Sequence, residues 1–132
     1  MSRENVDLVR DMCEAFLAGN LLGSLETLHP DVVWHGTIGG LDEMRTAHGH
    51  HEVIEGFAES IRDWERHSLE VERYIDAGAR VVVFWHENGR GKASGVEVRN
   101  HFCQLWTISE GVPARMHEYA TSEEAFAATS RR

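Results

Sequence analysis

The residues best suited to chemistry in this sequence are imidazoles and carboxylates, and three of them, His86, His101 and Glu118, lie inside runs of strand-forming residues. A carboxylate held in an apolar wall has its pKa raised, and an imidazole near it titrates close to neutrality. Such a set can carry out general acid–base work on a carbonyl or epoxide. The plainer reading is a group of buried polar side chains bonded to each other and to the backbone. Cys103 lies two residues from His101 and would need that imidazole as a base to act as a nucleophile. Side chains two apart on a strand share a face without having to touch, and a small core cysteine is the simpler account. His48, His50 and His51 cluster at a loop-to-helix junction with no H-E-x-x-H spacing, so no metal site is expected there.

These side chains need elements to position them. Val6, Val9, Cys13, Phe16 and Leu17 recur at helical spacing, which predicts an amphipathic helix over 4–18, closed by Gly19. Asn20 can cap a shorter helix carrying Leu22, Leu25 and Leu28, and Pro30 ends the pair. Residues 31–36 read as a short strand and 37–49 as a mobile loop or lid. Val53, Ile54, Phe57, Ile61 and Trp64 mark a third helix over 50–66. Four strands follow at 68–76, 80–88, 95–109 and 112–120. They are divided by Asp76-Ala77-Gly78, Asn88-Gly89-Arg90-Gly91 and Ser109-Glu110-Gly111. Thr121-Ser122-Glu123-Glu124 has the spacing of a capping box and opens a terminal helix. Helices followed by antiparallel hairpins define an α+β class, with a cavity expected between a curved sheet and the helices over it.

The whole chain of 132 residues suits one domain, 1–132, with no linker or repeat. Its two cysteines form no C-x-x-C pair, and no apolar run approaches the ~18 residues of a membrane span, so a reducing, cytoplasmic setting is expected. A net charge of −9 with scattered Arg and Lys argues against nucleic acid as a partner. No membrane partner is expected either.

Several strings resemble the nuclear-transport-factor-2-like superfamily, and within it the SnoaL-like, polyketide-cyclase-related branch. They include Glu14-Ala15-Phe16 before Gly19-Asn20, Leu28-His29-Pro30-Asp31-Val32-Val33-Trp34-His35, and His48-Gly49-His50-His51-Glu52-Val53-Ile54. Further on come Asp76-Ala77-Gly78-Ala79-Arg80-Val81-Val82-Val83, Ala93-Ser94-Gly95-Val96-Glu97-Val98, Trp106-Thr107-Ile108 and Glu118-Tyr119. The resemblance implies a cone-shaped, strongly curved, mostly antiparallel sheet with helices over its concave face, a cystatin-like α+β barrel. It places the ketosteroid-isomerase catalytic positions at Met12, Cys103 and Gly36, none of which can do that work, so this activity is not expected. Glu118-Tyr119 is similar to the Asp-Tyr pair of limonene-epoxide hydrolases, while Glu87 and Arg90 stand near the place of a second, Asp-Arg pair.

If Cys103 faces inward like its family counterpart, alternation brings His101 and Leu105 with it, and Glu118 with Met116. On the strand over 80–88 either Val82, Phe84 and His86 or Val81, Val83, Trp85 and Glu87 line the cavity; the first set is favoured. The expected pocket therefore combines Glu118, His101 and His86 with Met12, Trp34, Phe57, Trp64, Phe84, Cys103, Leu105 and Met116. Trp85, Phe102 and Trp106 would then lie on the outer sheet face, through which superfamily members commonly form homodimers. The implied function is a pocket for a small hydrophobic molecule. It is either a cofactor-free cyclase, isomerase or hydratase/hydrolase, or an inert ligand-binding or dimerisation module.

Overall fold

The computed structural model describes residues 2–36 and 45–129. In chain order it contains α1 (Ser2–Leu17), α2 (Leu21–Glu26), β1 (Val33–Gly36), β2 (Arg45–His48) and α3 (Gly49–Arg62). These are followed by β3 (Trp64–Ala77), β4 (Arg80–Gly91), β5 (Glu97–Ser109), β6 (Val112–Tyr119) and α4 (Ser122–Thr129). The strands form one open sheet in the order β2-β1-β6-β5-β4-β3, antiparallel throughout except for the parallel pair β1 and β6. Part of the stretch expected as a lid is β2; residues 37–44 lie outside the described residues. No described helix is long and apolar enough to cross a membrane.

Local chemistry explains most boundaries. Gly19 takes a positive φ of 86° at the end of α1, and the Asn20 amide reaches back to the Ala15 carbonyl at 2.9 Å. The Asn20 side chain then accepts from the Gly23 amide and caps α2. Val9, Met12 and Cys13 are buried on the inner side of α1, whereas Leu17 is exposed. Glu110 and Gly111 both have positive φ, the backbone of a tight hairpin between β5 and β6. Thr121 and Glu124 close the expected capping box: the Glu124 amide donates to the Thr121 hydroxyl, which in turn donates to the Glu124 carboxylate.

Two expectations are corrected. Trp64 does not end the third helix but opens β3, paired with Gly91. Asn88-Gly89 does not turn the chain; β4 runs through it, and the turn falls at 92–96. One contact accounts for both. A Cβ on Gly89 would stand 2.3 Å from the Trp64 ring, so the glycine is there to let the indole lie against the strand. Pairing across the sheet overrides local turn and helix signals.

The sheet carries a core on each face. On one side α1, α2 and α3 cover Val81, Val83, Trp85, Trp106, Met116 and Trp34. On the other, α4 sets Ala125 and Ala128 against Val82, Cys103 and Leu105, with Phe84 and Tyr119 beside them. α4 therefore packs on the face of the sheet opposite α1–α3. The favoured orientation of β4 and β5 is reversed as well: Phe84, Cys103 and Leu105 belong to the α4 side, and Trp85, Phe102 and Trp106 turn towards the three larger helices. The aromatics expected on the outer face are thus absent from it. Val81, Val82 and Val83 are all fully buried, so hydrophobic alternation carries no sign of which face is which.

Candidate functional site

Between the sheet and α1–α3 lies a cavity of about 80 Å³. Its walls are mostly apolar, and six of the lining residues are aromatic. The Trp34 ring stands edge-on to Phe57 and Trp106, each with centroids 5.4 Å apart, and Trp85 lies parallel to Phe102 at 6.1 Å. Met12, Phe16 and Leu28 close the helical side.

The polar groups in this wall are few. Gln104 is buried, and its Oε1 accepts from the indole N–H of Trp85 at 2.8 Å and of Trp106 at 3.0 Å. Indoles only donate, so the amide oxygen must face them and the NH₂ is the end with hydrogens to offer. Glu118 pairs with Gln104 across β5 and β6 and lines the same cavity. Gly36 makes room for it: a Cβ there would sit 2.6 Å from the Glu118 Cβ. Further along β4, Glu87 is 1% exposed and lines the cavity. Its Oε2 accepts from His67 at 2.8 Å, and His67 is itself stacked on Trp64 at 4.4 Å.

Of the residues expected at the site, Glu118, Met12, Trp34 and Phe57 line the cavity. Met116 faces the same side but is fully buried in the core beside it. Trp64 is buried against His67 and Gly89, outside the lining. His86 and His101 are not with Glu118. They stack on one another at 4.6 Å on the α4 side of the sheet, where His101 Nδ1 meets Glu72 at 2.7 Å. Phe84, Cys103 and Leu105 share that side. The physical reason is a single inversion: Cys103 faces α4 rather than the cavity, and side chains alternate along a strand, so turning one over turns all of them. The side chains that enter from β5 are Asn100, Phe102, Gln104 and Trp106. Arg90 does not pair with Glu87; its guanidinium binds Glu97 at 2.9 Å.

Neither thiol is poised for attack. Burial pushes Cys13 up to about 12 and outweighs the hydrogen bond with Tyr74; burial also raises Cys103. Among the described residues no group of three or more His, Cys, Asp or Glu is arranged to hold a metal ion. His50 instead contacts the Leu28 and His29 carbonyls, and His51 pairs with Glu55.

The residues missed from sequence were Gln104, His67 and the inward role of Glu87. The signal for them was indirect: the Trp85–Glu87 set carries a Trp that needs the larger core, and choosing it would have turned Gln104 and Trp106 inward too.

An α+β layer pair with an aromatic cavity and one open mixed sheet defines the class. The chain belongs to the SnoaL-like domain family, whose model matches residues 9–116. Among solved structures it is similar to a protein of unknown function, described as nuclear-transport-factor-2-like, from Burkholderia pseudomallei. That likeness has 26% identity and a TM-score of 0.75, over 97% of this chain and 98% of the other. TerC, crystallised with polyporic acid, is similar at 23% identity and a TM-score of 0.74, over 97% and 99%. A protein from Mesorhizobium loti, provisionally assigned as a SnoaL-like polyketide cyclase, is similar at 20% identity and a TM-score of 0.61, over 86% and 96%. No curated protein matches the sequence.

Proposed function

We propose that this chain is a small-molecule pocket protein that performs cofactor-free acid–base chemistry on a carbonyl or epoxide compound. The observation that carries this reading is the cross-strand pair of Glu118 and Gln104 on the wall of an aromatic cavity. A carboxylate can take or return a proton, and an amide N–H beside it can steady the oxygen on which charge gathers. The surrounding apolar wall makes both effects larger than at a fully exposed site. Cyclisation, isomerisation and hydration all draw on these two roles. His86 and His101 have no part in this scheme.

The test is a screen of small carbonyl compounds and epoxides, with Glu118→Gln as the control. Glu118→Gln should bind a substrate within a few-fold of the wild type while turnover falls by at least ~10²-fold. A compound that binds both proteins and is transformed by neither would make the chain a ligand-binding module instead. Undiminished turnover in the variant would remove Glu118 from the mechanism.

A further inference from the structure

We infer that Glu87 is a second recognition point in the cavity, built to accept a hydrogen bond from an uncharged ligand that carries an N–H or O–H group. This rests on the cavity being the ligand site. A carboxylate that is 1% exposed loses its hydration, and a folded chain recovers that only through hydrogen bonds. Glu87 recovers half of it. Oε2 is held by His67, while Oε1 is buried without a partner among the described residues. An ionised carboxylate accepts and cannot donate, so His67 Nε2 must carry the hydrogen in that contact. The stacking of His67 on Trp64 then fixes the imidazole, and through it the carboxylate.

The unsatisfied oxygen belongs to a side chain in the cavity wall, two residues along β4 from Trp85. Purely structural use would favour an apolar side chain at this position. A buried acceptor with unspent capacity is instead what a binding site keeps for the ligand. The charge pattern narrows the class. The lining contains two carboxylates, Glu87 and Glu118, and no Lys or Arg among the described residues. Carboxylate, phosphate and sulfate ligands would meet like charge with no Lys or Arg in the lining to offset it. Gln104 offers N–H donors, so a suitable ligand bears an acceptor as well as a donor. The cavity, at about 80 Å³, suits a single small ring.

Three probes of similar size separate these requirements. Pyrazole has adjacent N–H and N groups, isoxazole has the same ring with oxygen in place of N–H, and acetate is an anion. Binding is read from the indole N–H signals of Trp34, Trp85 and Trp106 by NMR. Pyrazole should bind at least tenfold more tightly than isoxazole, and acetate should show no saturable binding. Glu87→Gln, with its carbonyl turned to His67, presents NH₂ where the acceptor was, and should abolish or invert the preference. The comparison in the wild type stands even if that variant does not fold. Isoxazole binding as tightly as pyrazole would overturn the role of Glu87 and leave the cavity reading intact. Saturable acetate binding would overturn the assignment to uncharged ligands. No response of the indole signals to any probe would overturn the cavity reading, and this inference with it.

Discussion

Glu87 and His117 show two ways in which a sheet places a titratable group beside an aromatic partner. Glu87 faces the cavity with His67 as its anchor, while His117 lies on the other side of the sheet, stacked on His35 at 4.2 Å. Burial lowers the pKa of both His35 and His117 below the usual 6.5; Arg115 and His48 push His35 the same way, and His35 and Arg115 push His117. The sign follows from linkage. The folded chain holds these protons less well than the unfolded chain, so stability is complete above pH 6.5 and declines as the pH falls towards the depressed values. Thermal unfolding at pH 7.5 and pH 5.5 should therefore show a larger loss in the wild type than in His117→Gln. Equal losses would mean that the stacked pair does not couple folding to protons.

At the level of elements, the short strand β1 completes the site by what it lacks. Gly36 has a φ of 155°, and a side chain there would strike Glu118. Gly36→Ala should destabilise the fold by about 1–3 kcal/mol, the usual range for overpacking, and should also displace the carboxylate. The same substitution should cost much less in a Glu118→Gly background, because the atom it would strike is the Glu118 Cβ. Purely additive melting temperatures would show that strain at Gly36 has another origin. Elements were also the most legible level in the sequence. Asn20, Gly19 and the Thr121–Glu124 box act locally, and they read correctly from a handful of neighbours. Asn88-Gly89 misled because its glycine serves Trp64, a residue far along the chain that no local pattern announces. The orientation of β4 was hidden for a related reason. Hydrophobic alternation marks a face only where the opposite face meets water, and α4 removes that contrast at Val81, Val82 and Val83. Glu118 was legible as an inward carboxylate. Gln104, Glu87 and His67 were not, since their placement follows from the orientation of two strands that the sequence left undetermined.

Across the whole molecule, the sheet separates two cores, each of which contains one cysteine: Cys13 lies with α1–α3 and Cys103 under α4. The thiols therefore report on the two sides separately. Ala125, fully buried against the sheet, can be replaced by Asp to detach α4, since burying a carboxylate among Val82, Cys103 and Leu105 is costly. A thiol reagent should then label Cys103 in Ala125→Asp while Cys13 stays masked, with neither labelled in the native wild type and both after unfolding. Simultaneous exposure of the two would show that the cores open as one unit. The separation also bears on how such a chain can change over generations. Substitutions on opposite sides of the sheet share few neighbours, so their effects on stability add rather than interfere. The α4 side can drift, acquiring new surface chemistry, without requiring compensation among the residues around Glu118. Conversely, the cavity can be re-shaped for a different compound while the far core keeps the sheet intact.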